Sequence, residues 1–313
     1  MGLFVARRLA ASLITLILAS IVVFAMVRAV PGDIVEQMLG QLGGTEGEAA
    51  LRRFFGLDQP IHLQYFEWLA NVLRGDLGVS WRLGQPVSGL VASAFLVSLQ
   101  LSVMVLVLSA LIGVPLGLAV GRWPGTLLDT VVQSFNVIAL ATPVFWIGLM
   151  LLFGVSELLR WSPPTIYASP MRSITDNLTI LALPILSLAF LQIAAYAQFV
   201  RQHVIEAFDQ DYVRAARARG MPMRRILMRH VLRNILVPLS TFMGLIFIQI
   251  LGGVVVIESI FGLPGLGRLL VNALNARDFP VVQGALLMVL VSAILVNLIV
   301  DLLYRAIDPR LRT

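Results

Sequence analysis

The sequence predicts an all-α integral membrane protein with six transmembrane helices, and three observations carry that prediction. Of its 313 residues 58% are hydrophobic and 13% charged, with a mean hydropathy of +0.91, whereas a soluble domain is about half apolar and a quarter charged. Six apolar runs are each long enough to cross about 30 Å of hydrocarbon at about 1.5 Å per residue. Turn formers punctuate them: Pro31-Gly32 after the first, Trp123-Pro124-Gly125 between the second and third, and Pro163-Pro164 beyond the third.

The runs fall near residues 9–28, 95–121, 130–155, 179–200, 236–257 and 282–304. Core helices of soluble proteins are usually shorter and carry a polar face. Arg7-Arg8 ahead of the first run would also suit a secretory signal, but the run is too long for an ordinary signal core and ends without an A-x-A cleavage site. The chain therefore divides into an N-terminal transmembrane helix (1–28), an extracytoplasmic segment (29–94), a five-helix core (95–304) containing a polar loop (201–235), and a tail (305–313). Pro115 and Pro143 lie inside expected spans, where a lost backbone hydrogen bond produces a hinge or a static bend.

Orientation follows from the arginines. With the N-terminus in the cytoplasm, 14 of the 23 basic residues fall on that side, eight of them between Arg201 and Arg233. Several of the other nine sit in the long 29–94 segment, where charge has little orienting weight. Both termini are expected in the cytoplasm. The net charge of +6 suits a face against anionic lipid, and no aromatic-basic stacking platform points to nucleic acid. There are no cysteines, so thiolate metal sites and cysteine nucleophiles are excluded. Every basic residue is arginine, so a Walker A loop, which needs a lysine, is excluded as well. If ATP drives this protein, another chain binds it.

Polar residues within the spans are few: Gln100, Gln133, Asn136, Gln192, Gln198, Gln249 and Asn297, with Glu258 and Asp301 near span ends. Asn136, Gln192, Gln249 and Glu258 are the translocation-pathway candidates; the alternative for each is a hydrogen bond to a neighbouring helix. No chain of carboxylates and histidines forms a proton relay, and His62, His203 and His230 all lie outside the spans. Neither HExxH nor GxSxG occurs, so no catalytic residue and no metal site is expected.

The polar segment 201–238 is built of good helix formers split by Gly220 and Pro222, which predicts two short helices joined by a turn. Before the glycine, Val213, Ala215, Ala216 and Ala218 sit among Arg214, Arg217 and Arg219, a face that a partner can approach closely while the arginines reach carboxylates. After it, Ile226, Leu227, Val231 and Leu232 lie beneath Arg224, Arg225, Arg229 and Arg233. Composition alone suits a loop lying on lipid headgroups equally well.

The Ala215-Ala216-x-x-x-Gly220 core with the later Leu232 resembles the EAA loop of ABC-importer permeases. It departs from the general pattern at Arg214, His230 and Arg233, where glutamate, isoleucine and proline are usual. The run from Asp211 to Gly220 is similar instead to the dipeptide, oligopeptide and nickel permease branch. So are Pro31-Gly32-Asp33, the Gly75 to Ser80 run, Thr142-Pro143-Val144-Phe145-Trp146, the Glu258 to Gly267 run, the Arg277 to Gly284 run and Asp308-Pro309-Arg310.

The resemblance implies a type I ABC-importer permease fold in the bacterial inner membrane. It implies a heterodimer with a second permease subunit, two ATPase subunits holding ATP and Mg, and an extracytoplasmic solute-binding protein. This chain would bind no cofactor. Glu206, Asp211, Tyr212, Arg214, Ala215, Ala216, Arg217, Gly220, Met221, Arg224 and Arg225 would form the coupling loop. The 29–94 segment would serve gating or docking of the solute-binding protein, or only cap helix ends. Short peptides come first among the implied substrates, followed by glutathione and nickel complexes. A secondary transporter would show coupling carboxylates or inverted repeats instead.

Overall fold

The computed structural model describes residues 2–29, 58–164 and 166–307, with positions 49 and 52. Pro31-Gly32-Asp33, Asp308-Pro309-Arg310 and most of 29–57 lie outside the described residues. The elements are α1 (Gly2–Ala29), α2 (Ile61–Leu73), α3 (Val87–Arg122), α4 (Leu127–Ala141), α5 (Val144–Leu159), α6 (Ile174–Phe208), α7 (Asp211–Ala218), α8 (Met223–Ile260), α9 (Leu266–Asn275) and α10 (Phe279–Ile307). They form two compact units, one from residues 94–268 and 292–313 with the first three residues, the other from 4–93 and 269–291.

In the first unit α6 is the central helix: 56% of its most apolar stretch is buried, against 33% in α3 and α8. It packs on α4, α5 and α8 around Leu101, Val105, Leu181, Tyr196, Val200, Ile250 and Ile257, all nearly or fully buried. Gly113, Gly117 and Gly121 of α3 face it at a spacing of four. A Cβ on Gly113 would lie 2.7 Å from the Ile193 carbonyl oxygen and one on Gly117 2.7 Å from that of Ala197. The two backbones touch where lipid offers no hydrophobic drive and close packing holds helices together.

Five of the six expected spans are continuous helices long and apolar enough to cross a membrane. The third, expected over 130–155, is not one helix: α4 and α5 meet at 103°. Pro143 has no N–H to donate and pushes the preceding residue out of the helical region; Thr142 is extended at φ −90°, ψ 128°. At 15 and 16 residues, each half is about 23 Å long, short of the hydrocarbon thickness. Pro115, by contrast, sits inside an unbroken α3.

The second unit contains α1, α2, the 79–86 turn and the adjoining parts of α3, α9 and α10. Ser20 of α1 bonds the Tyr65 hydroxyl at 2.9 Å, and Phe24 meets Tyr65 and Trp68 with ring centroids 5.5 Å away. Gly284 lets α10 lie on α3, since a Cβ there would be 2.8 Å from Val87 Cγ1.

Candidate functional site

The arginine-rich segment folds as a sharp turn between two helices. At eight residues α7 is too short to persist alone; Val213 and Ala216 hold it by inserting into the first unit's core. Its end is closed by a complete set of left-handed cap contacts: Gly220 at φ +74°, its N–H donating to the Arg217 carbonyl at 2.9 Å, and the Met221 N–H donating to that of Ala216 at 3.2 Å. Met221 packs against the same core, and Pro222 then starts α8.

Two expectations change here. Val213 and Ala216, expected on the face open to a partner, turn inward, while Ala215 and Ala218 are exposed. The second short helix is no separate element, because after Pro222 nothing breaks it. Residues 223–260 form one helix that passes through a π-turn at Leu227–Val231 and carries Pro238. The exposed turn thus leads without a break in the helix into a membrane span.

Arg214, Arg217, Arg219, Arg224, Arg225, Arg229 and Arg233 are all exposed. Arg217 lies over the Phe208 ring at 5.2 Å, and Arg214 reaches Asp211 at 3.5 Å across open solvent. Tyr212 and Glu206 are exposed too, Glu206 accepting a hydrogen bond from Gln202 at 2.9 Å. Of the eleven residues expected to form a coupling loop, nine are exposed, while Ala216 turns inward and Met221 is half-buried. Arg201 is the exception among the eight arginines. It is mostly buried and forms a bidentate pair with Asp129 at 2.7 and 2.8 Å. Asp129 also accepts from the Gly125 N–H at 2.8 Å, tying the α3–α4 turn to α6.

The pathway candidates do not share one setting. Asn136 is buried and donates to Gln133 at 3.0 Å, Gln192 is buried, and Glu258 is fully buried. Glu258 accepts from the Ser98 hydroxyl and, at 3.0 Å, from the Arg268 N–H, while Ser98 accepts the Leu266 N–H at 2.7 Å. Gln249 alone of the four is exposed, on one side of α8 with Leu245, Gly252, Gly253 and Val256.

Sequence reasoning missed Asp129, Ser98, Tyr167 and Asn177, the last two of which cluster with Gln100, a residue it named as polar within a span. Tyr167 donates to Gln100 at 3.0 Å, and Asn177 donates to the Ala168 carbonyl at 2.7 Å. Burial pushes the Tyr167 phenol above its ordinary pKa, against a smaller opposing effect of the Asn177 bond. Only Asp129 had a local signal, the Thr126-x-x-Asp129 spacing of a helix start; Thr126 caps α4 by accepting the Asp129 N–H.

Comparison with known proteins agrees with this geometry. A family model described as "binding-protein-dependent transport system inner membrane component" matches residues 113–313, and one for the N-terminal part of such components matches 1–102. A Sinorhizobium fredii protein named "probable peptide ABC transporter permease protein" is 34% identical over 312 residues, covering 100% of each chain. A glutathione transport system permease protein of Salmonella choleraesuis is 36% identical over 309 residues, 99% of this chain and 98% of that one. Among solved structures, an amino acid ABC transporter crystallised with histidines aligns at TM-score 0.54 and 20% identity, covering 70% of this chain and 94% of the other. The inward-facing MetNI methionine ABC transporter aligns at 0.52 and 18%, covering 70% and 96%. At such identities the two structures speak for the fold alone.

Proposed function

This chain belongs to the family of binding-protein-dependent transport system inner membrane components, and from that membership we propose that its arginine turn couples a peptide pathway to separate ATPase subunits. It is a multi-pass protein of the bacterial inner membrane and the permease component of an ABC importer. In the proposed assembly it pairs with a similar but distinct permease, and ATP with its Mg²⁺ resides on two partner subunits. The solute is a short peptide, glutathione included, delivered by an extracytoplasmic binding protein. No cofactor is bound by this chain.

The observation that carries the reading is the exposed turn around Gly220, which leads directly into α8. Closure of the ATPase dimer would move the α7–Gly220 turn as a lever, and α8 would carry that displacement into the membrane as the pathway alternates its access. The arginines at 214, 217, 224 and 225 supply forked donors for carboxylates of the ATPase. Gln249 and the open backbone at Gly252 and Gly253, where a Cβ would meet nothing within 4 Å, offer a wall for the pathway. Asn136, Gln192 and Glu258 instead serve packing within the chain.

Uptake of labelled dipeptide into vesicles carrying the whole transporter tests this reading. Inactivating the ATPase subunits is expected to abolish uptake, and undiminished ATP-independent uptake overturns it. A photo-crosslinker at Ala215 is expected to capture the ATPase. Capture of lipid alone would assign the turn to headgroups.

A further inference from the structure

In the second unit, the turn at residues 80–83 is clamped to the start of α10. Asp278 is buried and accepts from the Ser80 hydroxyl, from the Trp81 N–H at 3.2 Å and from the Arg82 N–H at 3.4 Å. Trp81 meets Phe279 edge to face at 5.9 Å. The turn is closed by the Val79 and Pro86 bridge and by Gly84 at φ +65°.

Between this turn, residues 269–276 of α9 and the first turn of α10 is a hollow of about 310 Å³. Leu83, Leu269, Ala276 and Val281 give it an apolar floor. Arg82 and Asn272 are exposed on its lining, and Arg277 is exposed next to it in the chain. Among the described residues neither guanidinium has an acid partner and the Asn272 amide makes no hydrogen bond. The lining carboxylate, Asp278, is saturated by the 80–82 turn. The hollow is therefore preformed and apolar within, and its rim is cationic with unused donors.

In chain order residues 269–276 follow the end of the 223–260 span opposite the arginine turn, so a cytoplasmic arginine turn, as the importer reading has it, assigns them to the extracytoplasmic side. We infer that this hollow is the socket in which the extracytoplasmic solute-binding protein seats one apolar side chain flanked by a carboxylate. The inference rests on the importer reading above. The volume is enough to take one or two side chains of a docking partner. The rim charge is complementary to an acidic protrusion, and a partner outside the membrane is required by the family's dependence on a binding protein.

The test is ATPase stimulation by the solute-loaded binding protein, titrated against the full transporter in proteoliposomes. Arg82→Glu is expected to raise the half-saturating concentration of binding protein about tenfold and to reduce its salt dependence. Ala276→Phe, which fills the hollow without changing charge, is expected to raise it similarly while leaving the salt dependence intact. If neither variant shifts the titration while the parent responds, the socket is overturned. A shift only in the free dipeptide needed, at constant binding-protein requirement, also overturns it and assigns the hollow to substrate. If the parent itself shows no stimulation, the importer reading has failed instead.

Discussion

The two ends of α8 are turned by the same residue types to opposite purposes. At one end Gly220 and Pro222 make an exposed, arginine-rich turn. At the other, Gly262, Pro264, Gly265 and Gly267 fold a turn around the buried carboxylate of Glu258. Gly220 is needed for torsion alone: its φ is +74° and a Cβ would meet nothing within 4 Å. Gly265 and Gly267 are needed for space. A Cβ on Gly265 would fall within the Glu258 carboxylate, and one on Gly267 would lie 2.6 Å from Val255 Cα. The first turn is set by backbone angle alone and lies open, while the second adds to a left-handed Gly262, at φ +69°, the close packing of Gly265 and Gly267 around a buried carboxylate.

The largest effect therefore belongs to the closed end. Gly265→Ala must displace the Glu258 carboxylate from Ser98 and from the α9 N-terminus, where backbone N–H groups and the helix dipole favour an anion. Overpacking costs about 1–3 kcal/mol, and each buried group left unpaired adds about 1–3 kcal/mol. The variant is expected to lose most of its yield in the membrane, measured by thermal unfolding in detergent and by accumulation. A normal melting profile would mean that the carboxylate has room to move, and Glu258 would return as a pathway residue.

The open end should respond differently. Gly220→Val strains a left-handed position by about 1–2 kcal/mol without any clash. Membrane insertion and accumulation are expected to persist while peptide uptake and stimulated ATP hydrolysis both fall. Gly220→Asn, which tolerates the same torsion, is expected to recover most of the coupling. Equal loss in the two variants would show that the glycine serves close approach by a partner rather than torsion.

How far each turn is legible in the sequence follows from the same contrast. The Gly220 turn is local: a glycine after a short helix, then a proline, announces a left-handed cap and a new helix start within three residues. Its continuation into the span is less legible, because the absence of a breaker is a weaker signal than its presence. The apolar runs likewise announced the spans, but the break at Pro143 did not separate itself from the unbroken helix at Pro115. Which proline bends its helix depends on whether the carbonyls it frees find other partners. At the closed end the partner of Glu258 is Ser98, 160 residues away, one serine among several in an apolar run. Arg201 and Asp129, 72 residues apart, were hidden in the same way, and Arg201 was counted only as one of the cytoplasmic-side arginines. Local torsion leaves a local signature; a buried pair across the fold leaves none.

The smallest effect on the fold separates surface chemistry from structure. Arg214 and Asp211 are 67% and 98% exposed at the side chain and 3.5 Å apart, so their pair is worth at most about 0.5 kcal/mol to the folded chain. Arg214→Ala is accordingly expected to leave the unfolding temperature unchanged. If the guanidinium meets a carboxylate of the ATPase, desolvated at that contact, its loss weakens the contact far more than it weakens the fold. Stimulated ATP hydrolysis should then fall about tenfold, and Arg214→Lys should restore only part of it, since a point charge lacks the planar fork. Full activity in Arg214→Ala would remove this arginine from the coupling surface and leave the work to those on the far side of Gly220.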